Sequence, residues 1–407
     1  MKSLIHRSVL LFFLFLCSHV LTLAQDGNKN VITDAMEGHI FRAKQVDVTP
    51  NRLKQITAPE GFTITPFASG LNKPRMLEVT PEGFVYATDR DKGLVTLLKD
   101  TNNDGKADLI KVVARRENMH GINYHDGKLY LITVTQVFTA NINKDGTLDS
   151  LHVIVSNLPD GGQHPNRTLH FGPDGKLYIS IGSTCNSCDE PNKENATLLQ
   201  LNADGSNRHI FAKGLRNTIG FSWHPVTKEL WGFDQGIDWL GDSAQKEEVN
   251  HIMEGKNYGW PYVYEKGQYD LHASPPNLTY RQYDLLSTYP DLLYTAHAAA
   301  MDLLFYTGNQ FPKEYKNDAI VTMHGSWNRK NPSGYRLVRI HYEGGKPVKI
   351  SDFITGFYND KDSSMFARVC GLVQLKDGSV LFADDANGYI YRIAYNKQPV
   401  YVKKNDE

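Results

Sequence analysis

Four segments hold residues whose types and spacing could do chemistry. In Gly162-Gln163-His164-Pro165-Asn166-Arg167, His164 stands in a Gly- and Pro-rich approach to a strand, where an imidazole titrating near neutral pH can accept a proton. In Gly214-Leu215-Arg216-Asn217, a rigid guanidinium fork adjoins an amide that both donates and accepts, a pair able to grip carbonyl or carboxylate oxygens. Phe233-Asp234-Gln235-Gly236-Ile237-Asp238, followed by Glu247-Glu248-Val249-Asn250, offers backbone carbonyls around Gly236 beside several acids, a donor set that suits a hard cation such as Ca²⁺. The fourth group joins His324-Gly325-Ser326-Trp327-Asn328-Arg329 to Arg368-Val369-Cys370-Gly371. If Arg216, Arg329 and Arg368 converge on one channel, their like charges call for an anionic ligand.

The elements that must position these residues recur. A turn rich in Gly and Asp leads into a short run of alternating apolar and aromatic residues, then another turn and a second strand-like run. Such units begin near Gly83-Phe84-Val85-Tyr86, Asp126-Gly127-Lys128-Leu129, Asp174-Gly175-Lys176-Leu177, Lys228-Glu229-Leu230-Trp231, Asn317-Asp318-Ala319-Ile320 and Asp377-Gly378-Ser379-Val380. Helical periodicity is almost absent. Repeats of this length built from short strands predict an all-β chain, a six-bladed β-propeller, because one small sheet cannot cover both its faces and must stack on neighbours. A β-sandwich is the competing architecture. Residues 255–315 read as loops over one face. The expected organisation is a leader over 1–24, an arm over 25–54, the propeller over 55–396 and a tail over 397–407.

Of 407 residues, 41% are hydrophobic and 22% charged, enough apolar content for a large core and too much for disorder. Lys and Arg number 44 against 45 acids, which leaves no positive field for a nucleic-acid backbone. Lys2 and Arg7, the apolar run Val9–Leu16 and Thr22-Leu23-Ala24 read as a signal peptide, so a periplasmic or secreted chain without a membrane span is expected. In an oxidising compartment Cys185 and Cys188 are expected to form a structural disulfide rather than a redox or zinc site. Asp100–Asp108 has calcium-loop alternation, yet Lys111 stands where the bidentate acid belongs, so a turn is expected. Asn166, Asn195 and Asn277 open N-glycan acceptor patterns.

Taken together, these motifs resemble the soluble PQQ-dependent glucose and sorbosone dehydrogenase family, over about residues 55–395, with Asn257-Tyr258-Gly259-Trp260-Pro261 adding to the likeness. The resemblance implies PQQ and Ca²⁺ as cofactors and the oxidation of an aldose or aldehyde sugar to its lactone or acid. His164 would be the general base, with Arg216 polarising the quinone oxygen and Glu247 orienting the base. Asn217, Gln235, Arg329 and Arg368 would hold the cofactor, and the carbonyls of Gly236 and Ile237 would hold the metal. Cys370 falls where glucose-oxidising members carry a second Arg, which points to the sorbosone branch. No CxxCH is present, so electrons would leave to an external acceptor such as a c-type cytochrome. The rival readings are a calcium-dependent lactonase-type propeller and a non-catalytic carbohydrate-binding propeller.

Overall fold

The computed structural model describes residues 36–396; the expected leader, the first part of the expected arm and the expected tail lie outside them. Among the described residues the only helices are Pro50–Leu53, Tyr280–Asp284 and the 3-10 turn Lys313–Tyr315, and none is long and apolar enough to cross a membrane. The expected all-β character holds.

Six four-stranded sheets follow one another along the chain. The first comprises Leu77–Val79, Val85–Asp89, Leu94–Lys99 and Leu109–Arg115, paired antiparallel in chain order. The second, third and fourth begin at Gly121–His125, Thr168–Phe171 and Thr218–Trp223; the fifth and sixth begin at Ala300–Phe305 and Val369–Gln374. These six first strands touch in that order, and Val369–Gln374 also touches Leu77–Val79. Second strands such as Val85–Asp89, Leu177–Ile181 and Val380–Asp384 are buried throughout, whereas the last strand of the first sheet is largely exposed. Burial therefore falls from the inner strands to the edge, as expected of sheets packed face to face with an outer edge left to solvent.

The recurring Gly has a conformational cause. Gly83, Gly127, Gly175 and Gly378 sit between first and second strands at φ values of 80°, 78°, 71° and 86°, a region glycine enters without steric cost. Lys228 and Asn317 take φ values of 64° and 68° at the same place in the fourth and fifth sheets.

Polar ties join neighbouring sheets. The Thr88 hydroxyl donates to the His120 carbonyl at 2.6 Å, and the Thr168 hydroxyl donates to the Ile219 carbonyl at 2.6 Å. Asp302 Oδ2 accepts from the Leu372 amide at 2.7 Å, while burial pushes its carboxyl up to about 7.

Residues 255–315 are not all loop. Leu292–Tyr294 is the outer strand of the fourth sheet and Ala300–Phe305 opens the fifth. The acid Asp302 inside that apolar run hides it from a hydropathy reading. Ahead of Leu292–Tyr294, in the connection between the third and fourth strands of the fourth sheet, lie a hairpin, Val263–Tyr264 with Gln268–Tyr269, and the Tyr280–Asp284 helix with its Thr279–Gln282 capping box. The Asp100–Asp108 segment is the expected turn: Asp100 accepts from the Gly105 amide at 2.8 Å and Asp108 from the Thr101 hydroxyl at 2.7 Å. Asn195 is buried with its amide donating to the Gly182 carbonyl, which excludes it as a glycan acceptor in the folded chain.

The sixth sheet is completed from the other end of the chain. Phe62–Ala68 pairs antiparallel with Tyr389–Tyr395. Phe62 packs there against Phe311, Tyr315, Phe353 and Tyr395 at ring-centroid distances of 4.8–5.1 Å. Replacing Phe62 by Ala removes the anchor of this closing strand, and its unfolding free energy in urea should drop by about 3–5 kcal/mol. A loss below about 1 kcal/mol, the scale of a surface substitution, would show that the strand is held by its backbone pairing instead.

Candidate functional site

An antiparallel pair brings the start of its first strand and the end of its second to the same end of the sheet. Asn217 and Arg368 stand directly before first strands, and Gln235 and His324 directly after second strands. These residues, with His164, Arg216, Gly236 and Glu247, line one cavity of about 260 Å³. Of the residues given catalytic, cofactor or metal roles from the sequence, only Arg329 and Ile237 do not line it.

His164 has a defined tautomer. Its Nδ1 lies 2.8 Å from the Ser183 hydroxyl and 3.1 Å from the Ser183 carbonyl. The Ser183 hydroxyl donates its own proton to the Cys185 carbonyl at 2.7 Å. Nδ1 therefore meets only acceptors and must carry the hydrogen, which leaves Nε2 with the lone pair. Burial, helped by the Arg216 charge, pushes the imidazole down to about 3.

Glu247 does not orient this ring. Its Oε1 accepts from the Ala299 amide at 3.0 Å, its Oε2 is buried without a partner, and burial pushes the carboxyl up to about 8. The ring's orienting partner is Ser183, which the sequence reading passed over because a serine before a CxxC carries no signal of its own.

Arg216 is 2% exposed. Its Nε donates to the Asn186 carbonyl at 3.0 Å, and Nη2 donates to Asn186 Oδ1 at 2.7 Å and Asp238 Oδ2 at 3.2 Å. Asp234 fixes the backbone here, accepting from the Arg216 and Asn217 amides at 3.0 and 2.9 Å. The Asn217 amide nitrogen donates to Gln235 Oε1 at 2.9 Å, and Gln235 Nε2 donates to the Ala300 carbonyl at 2.6 Å. Asn217 Oδ1 is then left buried and unpartnered. Among the described residues no protein group donates to the Gly236 or Ile237 carbonyls; the Ile237 amide donates to Gln245 Oε1.

Arg368 donates from Nε and Nη2 to the His324 and Gly325 carbonyls at 3.3 and 3.1 Å. Arg329 corrects the expectation of three convergent guanidiniums from the repeats. It donates to the Asp242, Ala296 and Asn331 carbonyls, tying one loop to another outside the cavity. The segment before the sheets braces the same loops, with the Glu37 amide donating to the Trp239 carbonyl at 2.9 Å and the Phe41 amide to the Trp327 carbonyl at 2.8 Å. The third guanidinium in the cavity is Arg75. It pairs with Asp385 and donates from Nε to His120 Nε2 at 3.3 Å. Asp385 also lies 2.9 Å from His324 Nε2; His324 and Arg75 hold its carboxyl well below the usual range, against the effect of burial. Arg75 lies just before a first strand and Asp385 just after a second, so position within the repeat would have found both. Cys370 is a core residue, its Sγ donating to the Pro74 carbonyl at 3.3 Å.

A scan of family models matches TrAA12-like over residues 56–396. An uncharacterised protein of Borreliella burgdorferi is 31% identical over 88% of this chain and 96% of its own length. The pyrroloquinoline quinone-dependent sugar dehydrogenase of Hypocrea jecorina is 24% identical over 84% of this chain and 91% of its own. Among solved structures, the calcium structure of a Trichoderma reesei carbohydrate-active enzyme of family AA12 superposes with a TM-score of 0.72 at 20% identity, covering 84% of this chain and 97% of that one. Since the family model spans all six sheets and the cavity they position, the chain belongs to the TrAA12-like family.

Proposed function

We propose that this protein is an exported quinoprotein in which six sheets form the six blades of a propeller, and that its cavity uses PQQ and Ca²⁺ to oxidise an aldose or aldehyde sugar to lactone or acid. Electrons would then pass to an external acceptor. The sugar and cofactor assignments draw on the name of the H. jecorina relative, and calcium on the T. reesei structure's description.

The residues present fit that cofactor. PQQ is a planar polyanion with quinone oxygens, and the cavity offers the guanidiniums of Arg75, Arg216 and Arg368 as donors to them, while the orphaned acceptor Asn217 Oδ1 suits an N–H or O–H of a bound molecule. The undonated carbonyls of Gly236 and Ile237 are ligands a Ca²⁺ ion accepts. When bound, PQQ supplies a two-electron acceptor for the hydride of the sugar carbon.

The observation that carries the reading is the His164 tautomer. With Nδ1 committed to Ser183, Nε2 can take the proton of the substrate hydroxyl. Arg216 is aimed by acceptors that are mostly neutral, so its charge is available where negative charge develops. Protonated Glu247 helps, because an ionised carboxylate beside Arg216 would offset that charge. Gln235 and Asn217 brace one another and hold the cavity wall in register.

Dye-linked sugar oxidation by the PQQ- and Ca²⁺-loaded protein tests this reading. His164→Ala should lower kcat by about 10²–10⁴-fold while PQQ still binds; wild-type turnover that persists without PQQ, or an H164A variant as active as wild type, would contradict it.

The pH dependence follows with a definite sign. Because His164 is held down to about 3, it is neutral across the working range, and its acid limb in kcat/KM should lie near pH 3–4 instead of 6.5. A half-loss of kcat/KM near 6.5 that disappears in H164A would refute this.

For Glu247 the raised value means that, between the ordinary 4.5 and about 8, the native state holds a proton the unfolded chain has released. Its contribution to stability is full below 4.5 and lost as pH rises towards 8. The thermal midpoint of Glu247→Gln minus that of wild type should therefore increase steadily from pH 5 to 8; a constant difference would mean that Glu247 titrates normally.

A further inference from the structure

Arg216 and His164 belong to different segments, yet Arg216 is held by the short loop that the Cys185–Cys188 disulfide closes and His164 by Ser183, which the Cys185 carbonyl ties to that loop. Asn186 sits inside that loop and is saturated by the site. Its backbone carbonyl accepts from Arg216 Nε at 3.0 Å and from Trp260 Nε1 at 3.2 Å. Its Oδ1 accepts from Arg216 Nη2 at 2.7 Å and from the Asp238 amide at 2.9 Å, and its Nδ2 donates to the Asp238 carbonyl at 2.9 Å. Just before the loop, the Ser183 amide donates to the Arg216 carbonyl at 2.8 Å, and its hydroxyl bridges His164 Nδ1 and the Cys185 carbonyl.

A guanidinium has five N–H donors in a fixed plane and stays where its acceptors put it. Asn186 meets two of them through two oxygens of one residue, a forked contact that sets direction as well as distance. Both oxygens are neutral, so they fix the charge without cancelling it. The outer side of the loop is anchored independently: Ser187 bonds Asp270, and Asp189 bonds Tyr262.

We infer that Asn186 is the positioning residue for Arg216, and that the Cys185–Cys188 disulfide serves the active site by holding Asn186 beneath it. The inference rests on the proposed function only for its kinetic consequence; the placement of Arg216 is a property of the folded chain alone.

The test has two arms on the full chain. In the first, phenylglyoxal labelling followed by mass spectrometry reads the accessibility of each arginine. In wild type, Arg216 should be protected like the buried Arg167, while the exposed Arg115 and Arg116 react. In Asn186→Ala, and separately in the Cys185→Ser/Cys188→Ser double variant, Arg216 should label several-fold faster with Arg167 still protected. In the second arm, N186A should lower kcat of the PQQ-loaded protein by about 10²-fold with little change in sugar KM. Unchanged Arg216 labelling in both variants overturns the inference, as does faster labelling of Arg167 and Arg216 together, which signals general loosening. If wild type shows no PQQ-dependent turnover, the proposed function fails while the labelling arm still decides the role of Asn186. Should N186A not fold, the cysteine variant carries the same comparison.

Discussion

A positive charge removed from water has to be met by acceptors, and the burial of Arg216 is the constraint on which this site depends. Oxygens of Asn186, Gln235 and Asp238 surround it, supplied by two separate loops. Across the cavity, Arg75 and Arg368 are met in the same way by Asp385 and by backbone carbonyls. Three guanidiniums thus face the carboxylates of Asp238 and Asp385, with Glu247 holding its proton, which leaves the cavity electropositive. A partly dry cavity of that sign favours a planar anion over a neutral sugar alone.

The fold makes the arrangement possible by repetition. Each sheet sends the start of one strand and the end of the next to a common end, so residues far apart in sequence arrive at the same place with little loop to order. His164, Arg216, Gln235, His324 and Arg368 come from four different sheets or their approaches, yet line one space. Inter-sheet ties such as Thr88 to His120 and Asp302 to Leu372 keep these ends in register. The buried carboxyls have a stability cost of their own, since Asp302 and Glu247 are both pushed towards neutrality by burial.

Much of this was legible in the residues. Gly-centred turns marked four of the six second strands because their backbone needs positive φ, and where Lys228 or Asn317 takes that conformation instead the signal faded without vanishing. His164, Arg216, Asn217 and Gln235 were found because their motifs keep local spacing. What failed was pairwise. Arg329 looked convergent from its neighbours in sequence, but its carbonyl partners Asp242 and Ala296 pull it outside the cavity. Ser183 was invisible because it acquires meaning only from its contact with His164 on another segment, whereas Arg75 and Asp385 were marked only by their places in the repeat, just before a first strand and just after a second, and by no local motif. Leu292–Tyr294 and Ala300–Phe305 were missed for simpler reasons: the first is three residues long, too short to alternate, and the buried acid Asp302 interrupts the apolar run of the second.

The most direct measurement is an absorbance titration of the purified full chain with PQQ in the presence of Ca²⁺, alongside the Arg216→Ala/Arg368→Ala double variant. A cavity built around buried guanidiniums should bind one PQQ per chain saturably, and the double variant should lose that binding while remaining folded. No saturable binding by the wild type, or equal binding by the double variant, would contradict the account.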